Sequence, residues 1–252
     1  MSSDSYKNFI SEGYLIIKLF TPSKINEIKN LIENAVNKKH KLKEFKNKDI
    51  NKYYLKYIND EIHKKIVLPE NRYLKFNKSQ LKTINKNSKI NNILKNFWGH
   101  RDYKINWIAS TLHNPIIKNA YGYRLARPFN KFKKDVSGSH IDLHYGAELR
   151  NNLKNLLTIW CPIEGFSKKQ TLRFAPRSHL VNHPIDKFVN QKTFITPVFS
   201  DKYSKKFNFI RPTMKKGEVI IFHPNLLHGG SFNYGKNLRI SLDFRLFNLK
   251  EF

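Results

Sequence analysis

Cysteine is nearly missing from this chain. The single Cys161 excludes an internal disulfide and any cysteine-based metal cage. No apolar run approaches the roughly 18–20 residues that a membrane-crossing helix needs. The opening Met1-Ser2-Ser3-Asp4-Ser5-Tyr6-Lys7 has no basic stretch followed by an apolar one, so no secretory leader and a cytoplasmic setting are expected. Acidic residues are scarce: 19 Asp and Glu face 47 Lys and Arg, a formal net charge of +28. Repeats and Gly/Ser- or Pro-rich linkers are absent as well, so a single domain over residues 1–252 is expected.

What is present can build a core. The chain is 40 % hydrophobic and 13 % aromatic, which excludes a disordered polymer. Cys161 lies in the apolar run Leu156-Leu157-Thr158-Ile159-Trp160-Cys161, where a buried, inert thiol is expected. The positive charge favours anionic partners: phosphorylated small molecules, nucleic acid or anionic lipid. Heavy use of Lys, Asn and Ile throughout is an equally good source of that charge, and no arginine-aromatic module of a nucleic-acid reader stands out.

Two textures divide the chain. Residues 13–20 read as a strand, and Thr21-Pro22-Ser23 opens a helix with a capping hydroxyl and proline at the first helical position. Ile25, Ile28, Leu31, Ile32 and Ala35 share one face of that helix. Residues 40–100, rich in Lys and Asn, read as helices and loops, with an amphipathic helix marked by Ile90, Ile93, Leu94 and Phe97. From about residue 103 short β-rich runs take over, at 103–111, 120–126, 137–145, 156–163, 171–175, 218–222 and 238–247. The expected class is therefore mainly β, a sandwich or barrel, behind a helical part over about 1–100. Residues 181–215 read as a long loop over the barrel mouth.

The metal chemistry begins at Ser139-His140-Ile141-Asp142-Leu143-His144. On a strand, residues two apart share a face, so His140 and Asp142 present an imidazole and a carboxylate together. The run Glu218-Val219-Ile220-Ile221-Phe222 leads to His228-Gly229-Gly230, where His228 completes two imidazoles and one carboxylate. That set leaves three coordination positions open on iron, and it also suits zinc or manganese. In Arg239-Ile240-Ser241-Leu242-Asp243-Phe244-Arg245, polar and apolar residues alternate, so Arg239 and Ser241 face inwards while Ile240, Leu242 and Phe244 pack on helices. A buried guanidinium needs an anion, and its fork matches a carboxylate such as the distal one of 2-oxoglutarate, with Ser241 adding a hydrogen bond.

These residues resemble the phytanoyl-CoA dioxygenase-like family of Fe(II)/2-oxoglutarate-dependent oxygenases. The resemblance rests on His140-x-Asp142, then His228, then Arg239 eleven residues on. Residues 13–20 and the helix after them are similar to the family's opening. Phe174-Ala175-Pro176-Arg177-Ser178-His179 is similar to its Pro-Gly-Ser-His stretch, and residues 217–222 to its Gly-Asp/Glu strand. Two departures are Arg177 in place of the usual glycine and Gln170-Thr171 in place of Asn-Gly, both in a segment expected on the substrate side. The resemblance implies a double-stranded β-helix (a cupin-like jelly roll) over about 103–250, with Fe(II), 2-oxoglutarate and dioxygen as reaction partners.

Other candidates for substrate contact, or for orienting a ligand, are His144, Arg127, Trp160 and His179. The expected activity is hydroxylation of a small, anionic metabolite: phosphorylated, phosphonate, sugar-linked or CoA-linked. Two alternatives stay open, an oxygenase directed at nucleic acid and a jelly-roll metal-binding protein that does not use 2-oxoglutarate.

Overall fold

The structure is a computed structural model that describes residues 2–40, 50–68, 71–108, 116–132, 135–142, 156–184 and 198–248. His144, Tyr145 and Gly146, the ends of the expected strands at 109–111 and 143–145, and residues 185–197 of the expected loop lie outside these.

The chain opens with α1 (Ser2–Glu12), β1 (Tyr14–Lys18) and α2 (Pro22–His40). Thr21 caps α2 as its sequence implies, accepting from the Lys24 amide at 3.2 Å. The buried stripe of α2 is Ile25, Ile28, Ile32 and Val36, whereas Leu31 is 37 % exposed, so the apolar face is rotated from the one expected. Next come α3 (Ile50–Tyr57), α4 (Asp60–Ile66), β2 (Tyr73–Lys75), α5 (Lys78–Asn85) and α6 (Ser88–Trp98). The Asn-rich composition here has a structural use. Asn59, Asn77 and Asn87 cap α4, α5 and α6, each side chain accepting from an amide of the first turn that has no helical partner.

The β part contains β3 (Tyr103–Ile108), β4 (Ile116–Lys118), β5 (Ala120–Ala126), β6 (Ser139–His140) and β7 (Leu156–Glu164). After the 3₁₀ turn Ser178–Leu180 come the short helix α7 (Asp201–Ser204), β8 (Glu218–Phe222), β9 (His228–Gly229) and β10 (Arg239–Asn248). The expected loop at 181–215 thus contains a helical turn, and β2 and β4 are strands that the pattern did not mark. Residues 171–175 make no strand. Only Phe174 forms isolated bridges there, to Ile210 and His228.

All pairing within the named strands is antiparallel. The large sheet runs β1-β8-β7-β10-β3-β4, and β5 pairs with the first half of β10 while β3 pairs with its second half. β6 and β9 form a separate two-stranded sheet. The result is the jelly roll implied by the resemblance.

Strand alternation divides the interior in two. Ile240, Leu242, Phe244 and Leu246 of β10 join Leu157, Ile159, Cys161 and Ile163 of β7 in the core shared with α1 to α6. Burying each large side chain stabilises the fold by roughly 1.5–3 kcal/mol, so this face anchors the sheet to its helices. Cys161 is fully enclosed there, and burial pushes its thiol well above the ordinary range, which keeps it inert. The opposite face of the same two strands lines a cavity.

Candidate metal centre and cavity

β6 and β9 bring the two histidines together because His140 and His228 are register partners, with ring centroids 4.3 Å apart. The strand ends at His140, so Asp142 is not positioned by strand alternation as the sequence pattern implied. Its amide instead donates to the Pro224 carbonyl at 2.8 Å, which turns the chain and brings the carboxylate back beside the imidazoles. Ligand atoms of His140, Asp142 and His228 all lie within 4.8 Å of one another, and all three residues are buried.

Each of the three is held from behind. His140 Nδ1 lies 2.8 Å from the Gly138 carbonyl and His228 Nδ1 lies 2.9 Å from the Leu226 carbonyl. A carbonyl only accepts, so both rings carry their proton on Nδ1 and keep the Nε2 lone pair free. Thr158 donates to Asp142 Oδ2 at 2.6 Å and Arg245 Nη2 donates to the same oxygen at 3.1 Å. Asp142 Oδ1 is buried with no hydrogen-bond donor among the described residues and lies 3.5 Å from His228 Nε2.

Burial pushes the His140 pKa down to about 3 and lowers that of His228, so both imidazoles are neutral. Burial alone would raise Asp142, but Arg245, His228, His140 and the Thr158 hydrogen bond outweigh it and hold the group ionised. Two neutral imidazoles and an unsatisfied carboxylate oxygen form a donor set that fits a divalent cation. A buried carboxylate oxygen without a proton donor is costly unless a positive charge supplies its partner.

Gly229 is required beside this cluster. Its φ is +99°, and a Cβ there would lie 2.5 Å from the Gly138 carbonyl oxygen and 2.6 Å from His140 Nδ1.

The same cavity, about 250 Å³, is lined by His140, Asp142 and His228 together with Arg239, Trp160 and Thr158. Arg239 is buried, and its Nη1 donates to the carbonyls of Gln170 (3.1 Å) and Ser231. Its Nε has no partner, and no carboxylate pairs with it among the described residues. Burial, then the nearby Arg211 and Arg124 guanidiniums, lower its pKa against a weaker opposing pull from Asp135. Asp243 is not its partner: Arg124 Nε donates to Asp243 at 3.0 Å and Arg245 Nη1 takes its other oxygen. Ser241 is fully buried, its hydroxyl has no partner among the described residues, and it is not one of the residues that line the cavity.

Two expected contacts lie elsewhere. Arg127 is committed to Asp135 through Nε and Nη2, both at 2.8 Å, to Asp60 at 2.9 Å and to the face of Phe132. It ties a loop to α4 and does not face the cavity, because the aspartate five residues ahead of His140 captures it. His179 Nε2 donates to the Ile10 carbonyl at 2.8 Å and the ring packs against Gly13 and His223, away from the cavity. Trp160 does line the cavity. Sequence reasoning missed Arg245 and Thr158. Arg245 was within reach of the alternation along β10, two turns of the pleat beyond Ser241. Thr158 is a lone hydroxyl in an apolar run and carries no comparable signal.

Known proteins agree with this architecture. The profile of the family described as Phytanoyl-CoA dioxygenase (PhyH) matches residues 9–241. The non-heme alpha ketoglutarate dependent carbocyclase SnoK from nogalamycin biosynthesis superposes with a TM-score of 0.57 at 11 % identity, covering 98 % of this chain and 84 % of that one. EctD from S. alaskensis, solved with 2-oxoglutarate and 5-hydroxyectoine, gives a TM-score of 0.55 at 14 % identity, covering 100 % of this chain and 77 % of that one. At such identities the likeness is one of fold. No curated protein matches the chain.

Proposed function

The chain belongs to the phytanoyl-CoA dioxygenase family, and from that premise we propose that His140, Asp142 and His228 hold iron(II) while Arg239 receives the far carboxylate of 2-oxoglutarate. The activity is that of an Fe(II)/2-oxoglutarate-dependent dioxygenase. The observation that carries the residue assignment is the Asp142 carboxylate, buried, ionised and without a partner at Oδ1 among the described residues, with a ligand atom of each imidazole within 4.8 Å of it. Iron with 2-oxoglutarate and dioxygen supplies the oxidation, carbon dioxide and succinate being the co-products.

The protein's part is placement. The Gly138 and Leu226 carbonyls fix the imidazole tautomers. Arg239 offers its guanidinium, unpartnered at Nε among the described residues, to a carboxylate. Trp160, Leu172 and Phe222 form an apolar wall that excludes water from the reacting centre. Hydroxylation is the outcome we assign, because Asp142 occupies the position that a halogenase leaves to a small residue.

The substrate we infer is a small anionic metabolite. Among the described residues the cavity wall carries Arg72 and Arg124 besides Arg239 and Arg245, and the formal charge of +28 favours an anionic partner. The overall charge of +28 supports a nucleic-acid substrate too, and steeply salt-dependent binding of DNA or RNA would move the assignment there.

Thermal unfolding with manganese(II), with and without N-oxalylglycine, tests the reading. Metal-dependent stabilisation by the analogue is expected, about 2.7 kcal/mol at a hundred times its dissociation constant, and its absence would remove the 2-oxoglutarate assignment. Succinate release over phosphorylated metabolites, sugars and nucleotides then identifies the substrate.

A further inference from the structure

The two oxygens of Asp142 have different surroundings. Oδ2 accepts two hydrogen bonds, from the Thr158 hydroxyl at 2.6 Å and from Arg245 Nη2 at 3.1 Å. Oδ1 accepts none among the described residues and faces the imidazole of His228 at 3.5 Å. Arg245 is itself braced, because its Nη1 donates to Asp243, which also takes Arg124 Nε at 3.0 Å. The brace spans three strands. Thr158 and Arg245 are register partners on β7 and β10, and Arg124 comes from β5.

We propose that Thr158 and Arg245 are positioning residues for the iron site, holding the Asp142 carboxylate so that Oδ1 alone is offered to the cation. The inference rests on the iron reading above. Its physical basis is directional. A carboxylate free to rotate can present one oxygen or chelate through both, and two donors fixed on Oδ2 remove the second choice. A one-oxygen carboxylate with two imidazoles leaves three coordination positions open, which a chelating keto acid and dioxygen together require. Asp142 also lies beyond the end of β6, so no ladder of strand hydrogen bonds orients it. The hydrogen bond to Pro224 places its backbone, and the rotation of the carboxylate itself is then set by these two side chains. Arginine suits the place because its planar fork reaches Asp142 with one nitrogen and Asp243 with the other, which the single ammonium of lysine cannot do.

The test is the manganese(II) dissociation constant of the full chain, measured by calorimetric titration without 2-oxoglutarate on variants shown by circular dichroism to be folded. Asp142→Ala is the control and should abolish binding at this site. Thr158→Val keeps the side-chain shape and removes one donor, and Arg245→Gln removes the charge. Each should weaken manganese binding ten- to a hundredfold, the range seen when groups that orient metal ligands are lost. Thr158→Ser keeps the hydroxyl and should bind within about threefold of the native protein. A purely structural role would lower the melting temperature and leave the dissociation constant of the folded protein unchanged.

If Asp142→Ala is silent while Thr158→Val binds manganese like the native protein, this inference fails and the iron site stands. If Asp142→Ala binds as tightly as the native protein, the iron site itself fails and the inference falls with it. Should Arg245→Gln not fold, Thr158→Val against Thr158→Ser decides the matter alone.

Discussion

At one wall of the cavity His140, Asp142 and His228 offer three lone-pair donors with no proton to share. At another wall Arg239 offers a guanidinium with no carboxylate hydrogen-bonded to it among the described residues. The first is complete only with a cation and the second only with an anion. Burial makes both deficits expensive, since an uncompensated charge inside a protein costs several kcal/mol. On the proposed reading, a divalent metal answers the first deficit and a dicarboxylic acid the second, and each wall keeps its own ligand when the other is disabled.

Disabling one wall at a time separates the two deficits. Asp142→Ala should abolish manganese binding and 2-oxoglutarate-dependent succinate formation. Arg239→Leu should leave manganese binding within a few-fold and raise the KM for 2-oxoglutarate about a hundredfold, the equivalent of about 3 kcal/mol. Titration calorimetry and a succinate assay read both. If Arg239→Leu lost the metal as completely as Asp142→Ala, the walls would not be separable and the comparison would be wrong.

Gly229→Ala strikes the metal wall through the backbone. A methyl group there meets the Gly138 carbonyl and the His140 ring, in a left-handed conformation that suits glycine. A stability loss of about 2–3 kcal/mol is expected, with at least tenfold weaker manganese binding, read by urea unfolding and titration.

The next effect lies outside the cavity and sets a background for it. His63 is buried between Tyr54, whose hydroxyl lies 2.9 Å from Nδ1, and Asp135, 3.3 Å from Nε2. Burial outweighs the pull of Asp135 and lowers its pKa from 6.5 to about 4. The unfolded chain therefore takes up this proton first. The contribution is present in full above pH 6.5 and is lost as pH falls towards 4, up to about 3 kcal/mol. Urea unfolding between pH 7 and pH 4 should show that slope, and His63→Gln should flatten it.

The smallest effect is at Arg177, which stands at the family's glycine position with φ +66°. The left-handed backbone costs an arginine roughly 1 kcal/mol, and part of the gain from glycine is lost to its freer unfolded chain. Arg177→Gly should therefore stabilise the fold by about 0.5 kcal/mol with neither wall altered, measured as a shift in the urea midpoint.

Much of this was legible in the residues. The alternation along 239–245 separates the helix-facing Ile240, Leu242 and Phe244 from the inward Arg239, Asp243 and Arg245, and the structure keeps that division. The Thr21-Pro22 start of α2 and the apolar stripe of α6 were equally plain. Other readings failed where local pattern met a long-range competitor. His140 and Asp142 do converge, but through a hydrogen bond to Pro224 after the strand has ended. Arg127 looked available for substrate until Asp135 and Asp60 took its guanidinium. Gln170, expected on the substrate side, turns its carbonyl to Arg239.

Residue types and parity set the chemical inventory and part of its phase: which side chains are able to bind a metal or a carboxylate, and on which face of β10 Arg239 stands. Side-chain direction in a pleated strand follows from residue parity alone. Only the tertiary structure decided which inward groups neutralise each other and which stay open. Asp243 is used up by Arg124 and Arg245, whereas Asp142 Oδ1 and Arg239 Nε have no hydrogen-bond partner among the described residues. That outcome depends on distances of a few ångströms between strands far apart in the chain, and electrostatic pairing in a low-dielectric interior is set by those distances.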